Sequence, residues 1–544
     1  MKVKAAYFGM DTLQNCIELL LERGIEIIKL FSFPGDSYDA TEGIRGFAHV
    51  RGIPVSTMPV TEEEIRQLEQ EGVELCVVGG YPWRIPVCGS MRQINIHPSF
   101  LPMGRGPWPM PVSILQGVPS GVTLHKLSER FDEGDILLQK QIDLAEDEDL
   151  ISLTEKIRVV AAELLASYLD APDEIWAAAR KQGSGEYWQE PADEERMITL
   201  GDEPDHIWRV LRAFRGYGVL CRVDGVLWNI LDGEVTAEAE PREIYLPLRE
   251  GYLHILRWEP AFREITLNDR AQMEQLREQF PSVLSDYSFP MLFSWRKTLG
   301  LQICLEQDLC ILRSGEEYFF PMGGEARVET LLHHLLWQKG ELSLRFCDER
   351  AKAFLERAFP GAEAVLSEDD CDYFAERQNL LEMPGHKMKT RRKDFHHYES
   401  LEDGPQVELI TQENLRHVLE LAAMVEKEDS GAERCALEHF SELGLCGILI
   451  KRGERYVSFA ACSEKNSDTL QGHFMKCIDP ERGATIFLMR ALAQHLLEHH
   501  NYLNLEDDMG NPGLRSFKRS LQTELIPSYT VTIRKREEVN AVET

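Results

Sequence analysis

The chain has 544 residues and a formal net charge of −32, from 91 acidic against 59 basic side chains. That length exceeds what one hydrophobic core organises and calls for three or four domains. The charge argues against a chain built for broad, nonspecific nucleic-acid binding, and no DNA partner is expected. No run of 18 apolar residues occurs and MKVKAAYFGM has no signal-peptide layout, so a cytoplasmic protein without a membrane partner is expected. The twelve cysteines show no CxxC spacing, which predicts reduced thiols and no metal site.

In chain order, residues 3–8 read as a buried strand ended by Gly9, and 12–23 as a helix stopped by Gly24. Residues 25–33 form a second strand ended by Pro34-Gly35. Thr61-Glu62-Glu63-Glu64 is a capping-box pattern before a further helix, and 75–78 is a third apolar strand closed by Gly79-Gly80. Strands alternating with helices predict a parallel α/β sheet with right-handed crossovers. The first turn, FGMDTLQ, lacks GxGxxG, so the topology is Rossmann-like without the dinucleotide signature.

The richest segments are QINIHPSFLPMGRGPWP (93–109) and GVTLHKLSERFDEGDIL (121–137). Asn95 and His97 lie two apart on an apolar strand and so share a face. Pro98, Pro102, Gly104, Gly106, Pro107 and Pro109 then forbid regular structure, which puts both side chains where a strand gives way to a loop. Asp132 follows in a DEGD turn. An amide, an imidazole and a carboxylate suit transfer of a one-carbon acyl group to an amine: Asn95 and protonated His97 donate to the developing oxyanion, while Asp132 orients the ring. His125 reads as structural or peripheral.

On NIHPSFLP (95–102), RGPWP (105–109), ILQG…GVTLH (114–125) and FDEGDIL (131–137), residues 1–180 resemble the formyltransferase family. That family includes methionyl-tRNA, sugar-amine and glycinamide ribonucleotide formyltransferases. The resemblance implies Asn95, His97 and Asp132 as the catalytic set and 10-formyltetrahydrofolate as donor. It implies a folate site on the loop 80–86, with Tyr81, Trp83, Arg84, Ile85 and also Asp135. The acceptor, a small-molecule amine, faces Gly104, Arg105 and Gly106, where Met103-Gly104-Arg105-Gly106 departs from the family's usual stretch.

KQGSGEYWQEPADEE (181–195) has the composition of a linker. Residues 206–231 read as a short helix and a hairpin about Asp224-Gly225. They resemble the start of the formyltransferase C-terminal β module, here with Arg215-Gly216-Tyr217-Gly218 in place of Asn-Pro-Trp-Pro. The module is short, and a packing or acceptor-shaping role is expected of it.

In the second half, strands over 301–321 precede a helix at 328–340, and a meander over 444–477 precedes a helix at 484–500. This order predicts two similar α+β domains. Lys387, Lys389, Arg391, Arg392 and Lys393 make a basic cluster, either a solvated helix face or a phosphate-binding groove. SDYSFPMLFSWR (285–296), the stretch from Gly385 to Arg392, and LNLEDDMGNPGLRSFKRSL (503–521) resemble the phosphatidylglycerol lysyltransferase C-terminal group of tandem GNAT-like folds. This implies acyl or aminoacyl transfer from aminoacyl-tRNA or acyl-CoA. A tRNA or other phosphate-bearing partner at the basic cluster, with Arg515 and Lys518, fits the charges; the segment Asp479 to Ala484 lacks the coenzyme A loop pattern. The expected fold class is therefore α/β and α+β multidomain: a formyltransferase domain at 1–180, a short β module at 196–260, and GNAT-like domains at 262–384 and 385–536. The two activities are expected on one chain; the alternative is a single active formyltransferase with a C-terminal tRNA- or phosphate-binding module.

Overall fold

A computed structural model describes residues 3–35, 40–240, 243–424 and 430–535. The first two residues of the expected leaderless start, and residue 536 at the end of the last expected domain, lie outside it. The chain divides into two compact units, Met1–Glu259 and Pro260–Thr544, and its architecture is mixed α/β with several sheets. No helix among the described residues is long and apolar enough to cross a membrane.

The first unit opens with a seven-stranded sheet: β1 (Lys4–Gly9), β2 (Glu26–Phe31), β3 (Val55–Ser56), β4 (Leu75–Gly79), β5 (Arg92–His97), β6 (Ser120–Lys126) and β7 (Ile136–Ile142). Its order is β3-β2-β1-β4-β5-β6-β7. Strands β1 to β5 pair in parallel, as the alternation with helices predicts, whereas β6 and β7 run antiparallel. The Thr61/Glu64 capping box forms and starts the helix Glu62–Gln70. Phe8 and Phe31 stack at 4.5 Å between the two first strands, and Tyr81 meets Phe8 edge-on at 5.3 Å. This aromatic wedge fixes the loop after β4.

A second sheet, ordered Ile244–Pro247, Tyr252–Pro260, Val226–Thr236, Val219–Val223, Met197–Ile198, makes the short β module. Its hairpin turns at Asp224-Gly225 with Val223 opposite Val226. Trp108 lies against Tyr217 at 4.5 Å and Phe214 at 5.9 Å, so the module packs on the end of the loop that follows β5.

In Pro260–Thr544 the strand-then-helix order recurs, but the two halves do not separate near residue 384. Strand Asp372–Glu376 leaves the first half to pair with Tyr502–Asn504 and Glu524–Ile526. The last strand, Tyr529–Arg534, returns to pair with Glu341–Cys347 and Glu363–Leu366. Each sheet thus borrows a strand from the other half of the sequence. Isolated strands of five or six residues carry no sequence signal for which sheet they join.

Phe8 is fully buried in the wedge. Phe8→Ala is expected to cost about 3–5 kcal/mol, read as a lower urea midpoint for the unfolding of the first unit.

Candidate active site

Asn95 and His97 project from one face at the end of β5, beside β6 with Asn95 opposite His125 and His97 opposite Thr123. Asp132 sits in the turn between β6 and β7 with φ 55°, a left-handed conformation uncommon for a non-glycine residue. That turn brings its carboxylate back over the strand ends. Oδ1 lies 3.2 Å from Asn95 Nδ2, 3.4 Å from His97 Nδ1 and 3.6 Å from His125 Nε2. Oδ2 accepts the Gly106 backbone N–H at 3.0 Å. The three expected side chains do converge.

Their hydrogen bonds restrict the chemistry. His97 Nε2 donates to the Gly104 carbonyl at 2.8 Å, which leaves Nδ1 facing Asp132. The other Asn95 amide N–H reaches His125 Nε2 at 3.1 Å, and His125 Nδ1 donates to the Lys126 carbonyl at 2.8 Å. Both Asn95 N–H groups thus point into the cluster rather than outward. His125, 1% exposed, is an integral member of the set rather than peripheral. Its signal was its position on β6 opposite Asn95, visible only once β6 is known to run antiparallel to β5.

Burial pushes the Asp132 carboxyl up, but His97, His125 and the Gly106 N–H outweigh it and hold the group at about 2. Burial lowers His97 below its ordinary value, with Asp132 pulling the other way. At neutral pH the site therefore holds an ionised carboxylate beside a neutral imidazole, and a proton arriving on His97 meets a ready counter-charge.

The segment expected to be a linker is a strap. Trp188 N–H donates to the Arg105 carbonyl and Arg105 N–H to Glu186 O, closing a bridge across the loop after β5. Gln182 Nε2 donates to the carbonyls of Asp132 at 2.8 Å and Gly134 at 2.6 Å. Its Oε1 accepts from Arg105 Nε at 3.2 Å and Nη2 at 2.9 Å. Arg105 is thereby a buried tie between loop and strap, not an acceptor-facing charge. Gly106 has φ 119°, and a Cβ there would meet the Trp188 carbonyl at 2.0 Å; the close approach requires glycine.

Of the expected folate residues, Tyr81 is buried, its hydroxyl bonded to Val60 N and Met58 O at 3.3 Å. It supports the loop from behind and offers no ring to a ligand. Trp83 is half-buried against Tyr81 and Phe33. Arg84 donates to the Glu129 carbonyl, and with Ile85, Pro86, Val87, Cys88, Glu129 and Glu62 it lines a cleft of about 350 Å³. Asp135 is half-buried, and its carbonyl accepts from Lys126 N–H.

In the second unit, Arg515 is consumed by carboxylates: Nε and Nη2 pair with Asp508 at 2.7 and 2.8 Å, and Nη2 with Asp369 at 2.5 Å. Lys518 is buried and donates to the carbonyls of Glu506 and Asp507. Neither is available to a phosphate. Arg392 donates to Met383 O and Arg391 to Ser520 Oγ. Lys387, Lys389 and Lys393 remain exposed, the last two on the helix Lys389–Glu399. Before the helix Ala484–His495, Asp479 and Glu481 carboxylates accept the N–H groups of Glu481 and Arg482, where a coenzyme A pyrophosphate would need them free.

The formyl transferase family model matches residues 52–169, and the model for the C-terminal part of phosphatidylglycerol lysyltransferase matches residues 277–532. The first half therefore carries a formyl transferase domain and the second a phosphatidylglycerol lysyltransferase C-terminal domain. Among curated relatives, the methionyl-tRNA formyltransferase of Coprothermobacter proteolyticus is 30% identical over 224 residues, 34% of this chain and 66% of that protein. That of Anaplasma marginale is 35% identical over 122 residues, 22% of this chain and 40% of its own length. The chain thus spans less than two thirds of either relative. A conserved protein of unknown function from Bacteroides thetaiotaomicron aligns at 25% identity and a TM-score of 0.46, covering 51% of this chain and 99% of that one.

Because Asp132 is held low in the folded state, it contributes stability that is fully present above its unfolded value near 4 and is lost as pH falls toward 2. Acid titration of stability is expected to show about 2 kcal/mol lost in that window, and Asp132→Asn to flatten it. A slope unchanged by the substitution would contradict the assignment.

Proposed function

We propose that the N-terminal unit transfers a formyl group from 10-formyltetrahydrofolate to a primary amine. The observation that carries this reading is the convergence of Asn95, His97 and ionised Asp132 at the end of β5, inside the formyl transferase match. The folate supplies the formyl carbon and would be held by backbone of the loop 80–86 beside Trp83 and Arg84. The C–N bond to the amine forms as the bond to the folate nitrogen breaks, and the amine proton passes through the site to that nitrogen. Neutral His97 accepts a proton, Asp132 stabilises the imidazolium, and Asn95 turns the N–H now on His125 toward the formyl oxygen. Gly104 and Gly106 let the strap at Trp188 lie directly on the loop after β5.

The expected result is formamide formation by the full chain from 10-formyltetrahydrofolate and a member of an amine panel. His97→Ala and Asp132→Asn should each lower turnover about 100–1000-fold. Wild type and His97→Ala equally inert across the panel would overturn the proposal.

For the second unit we propose binding of a tRNA or similar phosphate-rich partner along Lys387, Lys389 and Lys393, in support of acyl or aminoacyl transfer. The supporting observation is that these three stay exposed while Arg515 and Lys518 are neutralised within the fold. The filled helix start at Ala484 favours an aminoacyl over a coenzyme A donor. Replacing all three lysines by glutamine should weaken tRNA binding and lower its log–log salt slope by about 2–3. Binding unchanged in affinity and slope would remove this reading.

A further inference from the structure

Exposed aromatic side chains are scarce in this chain. Among the described residues, Phe131 and Tyr187 stand about half exposed, at 51% and 49%, and every other Phe, Tyr and Trp is less exposed. Both lie beside Asp132. Phe131 precedes it in the turn between β6 and β7, and Tyr187 lies on the strap. A half-exposed ring forgoes burial that the other aromatic residues secure.

The strap is pinned on both sides of Tyr187. Arg105 N–H donates to Glu186 O at 3.2 Å, and Trp188 N–H to Arg105 O at 2.7 Å. Successive side chains of an extended segment point opposite ways. Trp188 is buried, its ring 2.9 Å from the place a Cβ on Gly104 would take. Tyr187 stays outside, with Cε1 3.4 Å from the corresponding point on Gly106, whose N–H holds Asp132 Oδ2. The ring therefore lies over the anchor of the Asp132 carboxylate. Partial burial and then the Asp132 charge push the Tyr187 hydroxyl above its ordinary value, in keeping with that position.

Phe131 belongs with the loop 80–86. The carbonyl of Glu129, two residues before it, accepts from Arg84, and both residues line the cleft of about 350 Å³. With the folate on that loop, the amine approaches the formyl carbon from the strap, where the exposed ring is Tyr187.

We propose that Tyr187 is a specificity-determining residue for the formyl acceptor, its ring packing against a ring that carries the amine. A phenol ring packs on another ring in offset or edge-on geometry, a contact that an open alkyl chain does not match. The inference rests on the formyl-transfer reading of the N-terminal unit and narrows its acceptor to a ring-borne primary amine.

Steady-state formylation of benzylamine and n-hexylamine by the full chain tests it, at saturating 10-formyltetrahydrofolate and equal free-base concentrations. Benzylamine is expected to be preferred about tenfold in kcat/KM. Tyr187→Ala should remove that preference by raising the benzylamine KM about tenfold without raising the KM for 10-formyltetrahydrofolate, and Tyr187→Phe should restore it. Phe131→Ala should keep the preference. Circular dichroism verifies the fold of each variant; should Tyr187→Ala not fold, the preference of the wild type and of Phe131→Ala decides. No preference in the wild type, a preference kept by folded Tyr187→Ala, or one lost equally in Phe131→Ala overturns the inference. Failure of the formyl-transfer reading looks different: the wild type then neither formylates an amine nor releases formate from 10-formyltetrahydrofolate and water, and the inference falls with it.

Discussion

The carboxylate of Asp132 is the point on which the N-terminal site depends. Its left-handed backbone is costly, and the structure over-determines it: the Gly106 N–H and Asn95 amide hold the side chain while Gln182 holds the main chain. Each restraint belongs to a different segment. Gln182 also ties Arg105, so the loop after β5, the turn between β6 and β7 and the strap over 180–188 form one hydrogen-bonded unit. Held this way, the carboxylate stays ionised in spite of burial and gives the neighbouring imidazole a fixed counter-charge. The β module adds a second support from below, through Phe214 and Tyr217 against Trp108.

What sequence could reveal followed from range. The period-two spacing of Asn95 and His97, the Thr61 capping box and the Asp224-Gly225 hairpin are local, and the structure reproduces them. Asp132 was legible because the DEGD turn fits a known family pattern. The strap was not, since Gly183, Gly185 and the polar residues about them have linker composition. Their actual role is close approach: a Cβ on Gly185 would stand 2.0 Å from the Pro102 carbonyl. Arg515 and Lys518 looked like phosphate ligands because their neutralising partners include a carboxylate 146 residues away, at Asp369. Tyr81 read as a residue of the folate-binding loop, yet Phe8 and the backbone at 58–60 draw it into the core.

The net charge of −32 conceals two opposite local arrangements in the second unit. Lys387, Lys389 and Lys393 stand outward in solvent, where a polyanion could reach them. Screening at physiological salt acts over about 8 Å, so only carboxylates within that distance oppose binding at these three cations appreciably.

The interior of that unit presents the reverse problem. Burying Asp286 and Asp372 beside Lys465 is expensive, and well-packed apolar side chains of similar volume would be as stable or more so. Strand exchange brings these groups together: Asp372 reaches Asn504 only because its strand pairs with Tyr502–Asn504 rather than with its own half of the sequence.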